Sequence, residues 1–340
     1  MPTTFALPRE ALQFAEAFQR ASHGVEPSVT QPKGRNLWIL KPVGLSRGRG
    51  IRIVSSLAEV EESAEEPVVL QRYITSPLLM DGFKFDLRLY VLVTSFNPLE
   101  AWLHCEGFAR FATLPFSLDQ VSDRFVHLTN ASVQKERADI GCLPDFLKHA
   151  VPHGGSKCSL AVLRSMLESR GPCDWKSVWT SMTEAILGAL FAAQDAVPHS
   201  VNSFELFGFD LLLDSSMQAW LIEVNSLPSL SLDTPLDREI KAVVVRDVIR
   251  LVDPLPFDRA ALLDVLQTRT CGRGRLGRRN GGVMSGTVTA EREVMCGDML
   301  AVLQGGMPRR YGQMPSSTGG FERIAPSPMY DKLLKLKRPL

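Results

Sequence analysis

Residues 86–94 alternate without a break: Leu87, Leu89, Val91 and Val93 fall on one side of an extended chain, and Asp86, Arg88 and Tyr90 on the other. A strand written this way needs a sheet with one apolar face against a core and one face carrying charge at even spacing. Two more apolar runs, 204–213 and 219–225, flank the polar stretch 214–218 and read as a hairpin of the same kind.

That hairpin carries the first chemical signal. Glu223 and Asn225 are two apart, so they share a face, with Trp220, Ile222 and Val224 on the other. A turn centred between Ser216 and Met217 sets Asp210 opposite Glu223. Two carboxylates and one amide then converge, a donor set that suits a hard cation such as magnesium and leaves room for phosphate oxygens. A surface hairpin with solvated acids would use the same side chains, but strands this apolar argue for burial.

The remaining elements bracket this sheet. Residues 8–20 read as an amphipathic helix with Leu12, Ala15 and Phe18 on one side. Strands are expected at 38–41, 51–54 and 68–74, an exposed acidic helix at 59–66, and helices at 160–169 and 175–196. A helix at 235–252 opens with Thr234 as N-cap, Pro235 at its first position and Asp237 in the capping-box place. Five arginines and five glycines within 268–282 read as a flexible basic segment, and 321–340 regains enough apolar residues to dock as a short helix. The expected organisation is an N-terminal helix and linker (1–35), a partial lobe (36–75), a main lobe (76–256), the flexible segment (257–320) and a docking segment (321–340).

Composition narrows the classes. The chain has 340 residues, 45% of them hydrophobic, enough for a sizeable core or two lobes sharing a cleft. A net charge of +1 argues against a nucleic-acid partner. Arg9 and Glu10 interrupt any signal-peptide core, and the longest apolar run, 185–193, is too short to span a bilayer. The six cysteines include no CxxC pair, so a zinc cluster or disulfide framework is not expected. The reading is a soluble intracellular monomer.

A loop of glycine and arginine follows Lys41, with Arg47 and Gly48 at its centre; such a backbone can approach phosphate closely, and it can equally be a plain turn. It is not a Walker loop, which needs Gly-Lys-Ser/Thr opening a helix. Lys84, Asp86 and Arg88 alternate along one strand face, either as a ligand set or as a salt-bridged surface. Arg110, isolated among apolar neighbours, calls for an anionic partner.

Taken in order, WILKPVGLSRGRGI, VLQRYI, DGFKFDLRLYVLVTS, EGFARFAT, HLTNASVQK, FELFGFDLLLD and WLIEVNSLPSL resemble the tubulin tyrosine ligase-like family, in its polyglutamylase branches, over roughly residues 3–255. GGFERIAPSPMYDKLLKLKR also looks like some members' C-terminal extensions. The resemblance implies a mixed α/β (α+β) ATP-grasp fold, with ATP held between two antiparallel sheets. It assigns Lys41, Arg47, Gly48, Gln71, Arg72, Tyr73, Ile74, Lys84, Phe85, Asp86, Thr129 and Asn130 to ATP, and Arg88 to the terminal phosphate. It assigns Asp210, Glu223 and Asn225 to magnesium, and Arg110, Lys157 and Lys241 to the incoming glutamate. It implies a ligase acting on acidic tubulin tails in the cytoplasm, at the cytoskeleton or in a cilium, with 269–279 as an electrostatic lure. Cys158 stands where the family has Trp, and Leu227 where many members have Ser. Against the family pattern the chain starts inside the catalytic core, so the first part of the nucleotide sheet is expected to be missing. A ligase for another substrate and a non-catalytic binding remnant are the alternatives.

Overall fold

A computed structural model of the chain describes residues 1–23, 35–46, 48–61, 66–136, 146–147, 155–171, 173–198, 203–255, 257–273, 287–304 and 309–336, without side chains at 269–273 and 287–292. It divides into two compact units, Met1–Val248 with Thr318–Leu340, and Ile249–Ser317.

The first unit holds two antiparallel sheets. The smaller has four strands in the order β1-β4-β2-β3, from β1 (Thr4–Leu7), β2 (Trp38–Pro42), β3 (Arg52–Val54) and β4 (Val68–Arg72). Alternation sends Trp38, Leu40, Val68 and Leu70 into a core with Phe14, Ala17 and Phe18 of helix α1 (Ala11–Ser22) and Val60 of α2 (Leu57–Glu61). Ile39, Lys41 and Gln71 are left for the opposite face. Two expectations need correcting. The buried stripe of α1 is Phe14, Ala17 and Phe18, and Leu12 is 70% exposed, because the large aromatic rings take the core side against Trp38. Residues 1–35 were read as helix and linker, yet β1 pairs with β4 and supplies a strand to this sheet.

The larger sheet has seven strands, with β10-β9-β6-β7-β11 as its main path. These are β6 (Phe83–Phe96), β7 (Leu99–Pro115), β9 (Glu205–Leu213), β10 (Ala219–Asn225) and β11 (Phe321–Ala325); β5 (Leu79–Met80) pairs with β6, and β8 (Lys157–Ser159) with β7. Two short helices, α3 (Arg124–His127) and α4 (Ala131–Gln134), follow β7. One face is the main core: Leu87, Leu89, Val91, Val93, Leu211 and Leu213 pack with Leu160, Leu163 and Leu167 of α5 (Leu160–Arg170) and Met182, Ile186 and Leu190 of α6 (Trp175–Ala193). The opposite face keeps the charged set.

Helix α7 (Pro235–Val252) lies over that second face, its residues meeting β8 and β7 through Asp237–Lys157 and Asp247–His104. The capping box forms: Asp237 N donates to Thr234 Oγ1, and Thr234 N donates to Asp237 Oδ2, both at 3.1 Å. The C-terminal segment docks as a strand before its helix: β11 pairs with β7, and α10 (Pro328–Leu336) packs Tyr330 into the core with its hydroxyl on Gln194 at 2.7 Å.

The second unit holds the rest of α7 with α8 (Arg259–Arg273) and α9 (Thr287–Val302). Both helices fall in the segment read as flexible, so arginine and glycine content did not keep 259–273 from helical geometry. Residues 274–279 of the proposed lure lie outside the described residues. Among the described residues no helix is long and apolar enough to cross a membrane.

Candidate functional site

The cleft is lined from both sheets. Ile39, Lys41, Gln71 and Arg72 come from the small sheet, and Lys84, Asp86, Asp210, Leu212 and Glu223 from the large one. Tyr73 and Ile74 form the crossover, and 127–130 closes one side. It encloses about 640 Å³ of non-atom space, open solvent at its mouth included. Apolar walls (Ile39, Ile51, Ile74, Leu212, Ile222) beside a few fixed polar groups suit a flat ring with a charged tail.

Lys41 Nζ donates to Gln71 Oε1 at 2.9 Å and to the Ile222 carbonyl at 3.3 Å, linking the two sheets. Burial lowers its pKa, while Glu223 and Asp210 pull it back up. Lys84 Nζ donates to Tyr73 Oη at 3.0 Å and to the His127 carbonyl at 2.8 Å. Burial pushes Lys84 down to about 8, with Asp86 opposing. His127 contributes beyond its place in the HLTN run: its Nδ1 meets Tyr73 Oη at 2.8 Å, and burial beside Lys84 pushes it down to about 4, so the imidazole is neutral. Gly48 has φ +76°, and a Cβ there would sit 3.4 Å from Asn130 Oδ1, so the loop touches the 127–130 segment. Thr129 and Asn130 line the cleft as expected. Arg47 lies outside the described residues.

Phe85 does not line the cleft. Its side chain is 1% exposed and stacks against Phe111 at 5.3 Å in the main core, because it alternates with Lys84 and Asp86 on the strand.

The acidic end carries the candidate metal ligands. Glu223 pairs with Asp210 and Asn225 with Gly208, the register expected from the turn. A bulge between Leu221 and Glu223 breaks the expected alternation: Trp220 pairs with Leu212 on the cleft side, Leu221 joins the core, and Ile222 lines the cleft. Asn225 Nδ2 lies 3.3 Å from Glu223 Oε1 and 3.5 Å from Asp210 Oδ2. Burial and the Asp210 charge raise the Glu223 pKa. Burial would raise Asp210 too, but Arg110 and Arg88 outweigh it and hold that carboxylate well below the usual range. Among the described residues no three His, Cys, Asp or Glu side chains group as a metal site. Two facing carboxylates and an amide, one carboxylate strained by the other's charge, still fit a hard divalent cation shared with phosphate oxygens.

Beyond the acids the same sheet face turns cationic. Arg88 Nη2 donates to Asp210 Oδ2 at 3.0 Å, and Arg110 bridges Asp86 (Nε–Oδ1, 2.7 Å) and Asp210 (2.8 Å). Lys157 and Lys241 both reach Asp237, at 2.7 Å and 2.9 Å. Their ammonium groups lie 5.2 and 5.7 Å from the centre of the Phe108 ring.

These features define a mixed α/β protein with two antiparallel sheets facing across a polar, acid-ended cleft. The chain belongs to the Tubulin-tyrosine ligase family, whose family model matches residues 1–261. It is 38% identical over 262 residues to human "Tubulin polyglutamylase TTLL5" and 37% identical over 262 residues to "Probable tubulin polyglutamylase ttll-9" of Caenorhabditis elegans. It is 34% identical over 270 residues to "Probable alpha-tubulin polyglutamylase Ttll1" of Tetrahymena thermophila. The first two matches cover 74% of this chain but 19% of the human and 58% of the nematode protein, so the chain spans only part of its curated relatives' length.

Proposed function

We propose that this chain is an ATP-grasp ligase that joins glutamate to glutamate side chains of tubulin C-terminal tails. The observation that carries the reading is the sequence of groups along one cleft: apolar walls, then Lys41 and Lys84, then the Asp210–Glu223–Asn225 cluster, then the cations Arg88, Arg110, Lys157 and Lys241. That order matches a base, its phosphates, a metal and a carboxylate-bearing amino acid. The relatives' names support tubulin as the acceptor.

In this reading Ile39, Ile74 and Leu212 sandwich the adenine while Lys41, Lys84 and the Gly48 loop hold phosphates. Asp210, Glu223 and Asn225 hold magnesium, which when bound neutralises phosphate charge. Arg88 faces the terminal phosphate from its seat on Asp210. The acceptor γ-carboxylate attacks the γ-phosphorus, the bond to the ADP oxygen breaks, and an acyl phosphate forms on the acceptor. The amine of the incoming glutamate then attacks the acyl carbon, loses a proton, and phosphate leaves with the carbon–oxygen bonding pair. The residues contribute position and charge rather than covalent chemistry. The site of action is the cytoskeleton, including ciliary microtubules.

The test is MgATP binding by the folded chain together with incorporation of labelled glutamate, glycine or tyrosine into tubulin. Glutamate-selective incorporation is expected. Absence of MgATP binding would remove the ligase reading; MgATP turnover with no amino acid incorporated would move the acceptor away from tubulin.

A further inference from the structure

Asp237 has no role in the chemistry above, yet its surroundings are those of a functional group. It is 1% exposed, and its carboxylate accepts from Lys157 Nζ at 2.7 and 2.8 Å, from Lys241 Nζ at 2.9 Å, and from Thr234 N and Oγ1 at 3.1 and 2.8 Å. A capping-box acid ordinarily sits in the solvated first turn of its helix and needs only the cap. Here the same carboxylate also gathers two lysines from different elements, β8 and α7, onto one side of the Phe108 ring. Lys241 has a second anchor, the Ser231 carbonyl at 2.6 Å.

The charge balance points to an anion. Lys157 and Lys241 share the single carboxylate of Asp237, so that carboxylate balances one of the two positive charges it gathers. Beside them the Tyr90 hydroxyl is fully buried and makes no hydrogen bond among the described residues. It feels the charges of Arg88, Asp237, Arg110 and Asp210, and its ring packs edge-on to Phe108 at 6.4 Å. A buried donor without a partner is expensive, and natural structures keep few of them.

We propose that Asp237 is a positioning residue of the amino-acid subsite: it fixes the Lys157 and Lys241 ammonium groups in one orientation, so that a carboxylate of the incoming amino acid meets a preset pair of cations. Two lysines converging without a counter-charge would repel, and burial would favour their neutral forms. Burial does lower the Lys157 pKa, with Asp237 opposing the fall and Lys241 and Lys135 adding to it. The inference rests on the glutamate ligase reading.

The experiment uses the full chain and separates capping from positioning. Asp237→Asn removes the charge; Thr234→Ala breaks the cap and leaves both lysine bridges. MgATP affinity by calorimetry, melting temperature, and KM for L-glutamate across pH are measured for each. Asp237→Asn is expected to raise the glutamate KM at least roughly tenfold, to leave MgATP affinity unchanged, and to bring the alkaline rise in KM to lower pH, because Lys157 loses the charge that opposes its burial. Thr234→Ala is expected to lower the melting temperature with KM nearly unchanged. If Asp237→Asn lowers only the melting temperature and moves neither KM nor its pH profile, Asp237 is a cap alone and the proposal fails. Should that variant fold too poorly to assay, Asp237→Glu keeps the charge but displaces it by one methylene: a raised KM with unchanged MgATP affinity supports positioning, and an unchanged KM overturns it. A wild-type chain that binds MgATP but transfers no glutamate to tubulin would overturn the tubulin glutamate ligase reading, a different result from either.

Discussion

Asp210 and Arg110 are joined at 2.8 Å between Oδ2 and Nη2, in a setting where neither side chain is more than a tenth exposed. Arg88 binds the same carboxylate from the neighbouring strand register. Replacing Asp210 with Ala would leave two guanidinium groups short of a counter-charge, and breaking a buried pair this way costs about 3–5 kcal/mol. Chemical denaturation should report that loss, and calorimetry should show magnesium-dependent ATP binding abolished. The pH dependence has a definite sign. The folded pKa lies below the unfolded value of 3.8, so Asp210 contributes fully above that value and its contribution fades as acid carries the pH down through the folded pKa. Asp210→Asn should therefore flatten the acid limb of the stability profile.

Lys84 makes a prediction with two opposite limbs. Its pKa is lowered from 10.5 to about 8 by burial. Between those values the unfolded chain binds the extra proton, so stability without nucleotide rises with pH across that window. Phosphate binding needs the ammonium form, so MgATP affinity should fall above pH 8, approaching about one decade per pH unit. Lys84→Met should remove both trends. A wild-type MgATP affinity that stays flat from pH 7 to 10 would rule out a phosphate role for Lys84.

Much of this was legible because strand alternation is a strict rule. The period of two put Lys84, Asp86 and Arg88 on one face, and the length of the 214–218 turn set Asp210 against Glu223 before any coordinate was needed. The same rule failed at Trp220 and Ile222, where one inserted residue reverses the sides, and a bulge leaves no mark in a run of apolar letters. Applied strictly it also excludes Phe85, which the family pattern had placed in the cleft. The pairing of Lys157 with Lys241 on Asp237 was out of reach, since 80 residues separate Lys157 from Asp237. The resemblance grouped Lys157 and Lys241 at the glutamate, while Asp237 left a trace only as a capping-box acid. Strand β1 is four residues long, too short for a periodic signal, and needed β4 beside it to declare itself.

Gly48 should tolerate no side chain. Its φ of +76° is left-handed, and a Cβ would fall 2.6 Å from Val133 Cγ2. Gly48→Ala combines a left-handed penalty of about 1–2 kcal/mol with displacement of α4. The expected outcome is weakened MgATP binding with only a modest drop in melting temperature. Unaltered affinity would show that the loop does not approach the phosphates.

Tyr90→Phe is expected to do no harm to the fold. The hydroxyl has no partner among the described residues, and burial pushes its pKa up to about 12, so it stays a neutral phenol through the working range. Removing an unsatisfied buried group should leave stability unchanged or raise it by about 1 kcal/mol. Urea midpoints with an unchanged slope are the readout. A loss of 1 kcal/mol or more would mean that the hydroxyl is satisfied by an ordered water and is part of the core.

Phe85 separates the core from the cleft on a single strand. Its neighbours Lys84 and Asp86 line the cleft, while its own ring is buried against Phe111. Phe85→Ala opens a cavity in the main core and should cost about 3–5 kcal/mol of stability. Because the ring never reaches the cleft, MgATP affinity measured well below the melting temperature should match wild type within error. The opposite pattern, a stable protein with weakened MgATP binding, would place Phe85 against the nucleotide after all and would mean that β6 shifts register when nucleotide binds. A shift of one residue would carry Lys84, Asp86 and Arg88 into the core together, so the unchanged affinity of this one variant would also show that the charged face of the strand stays where the alternation puts it.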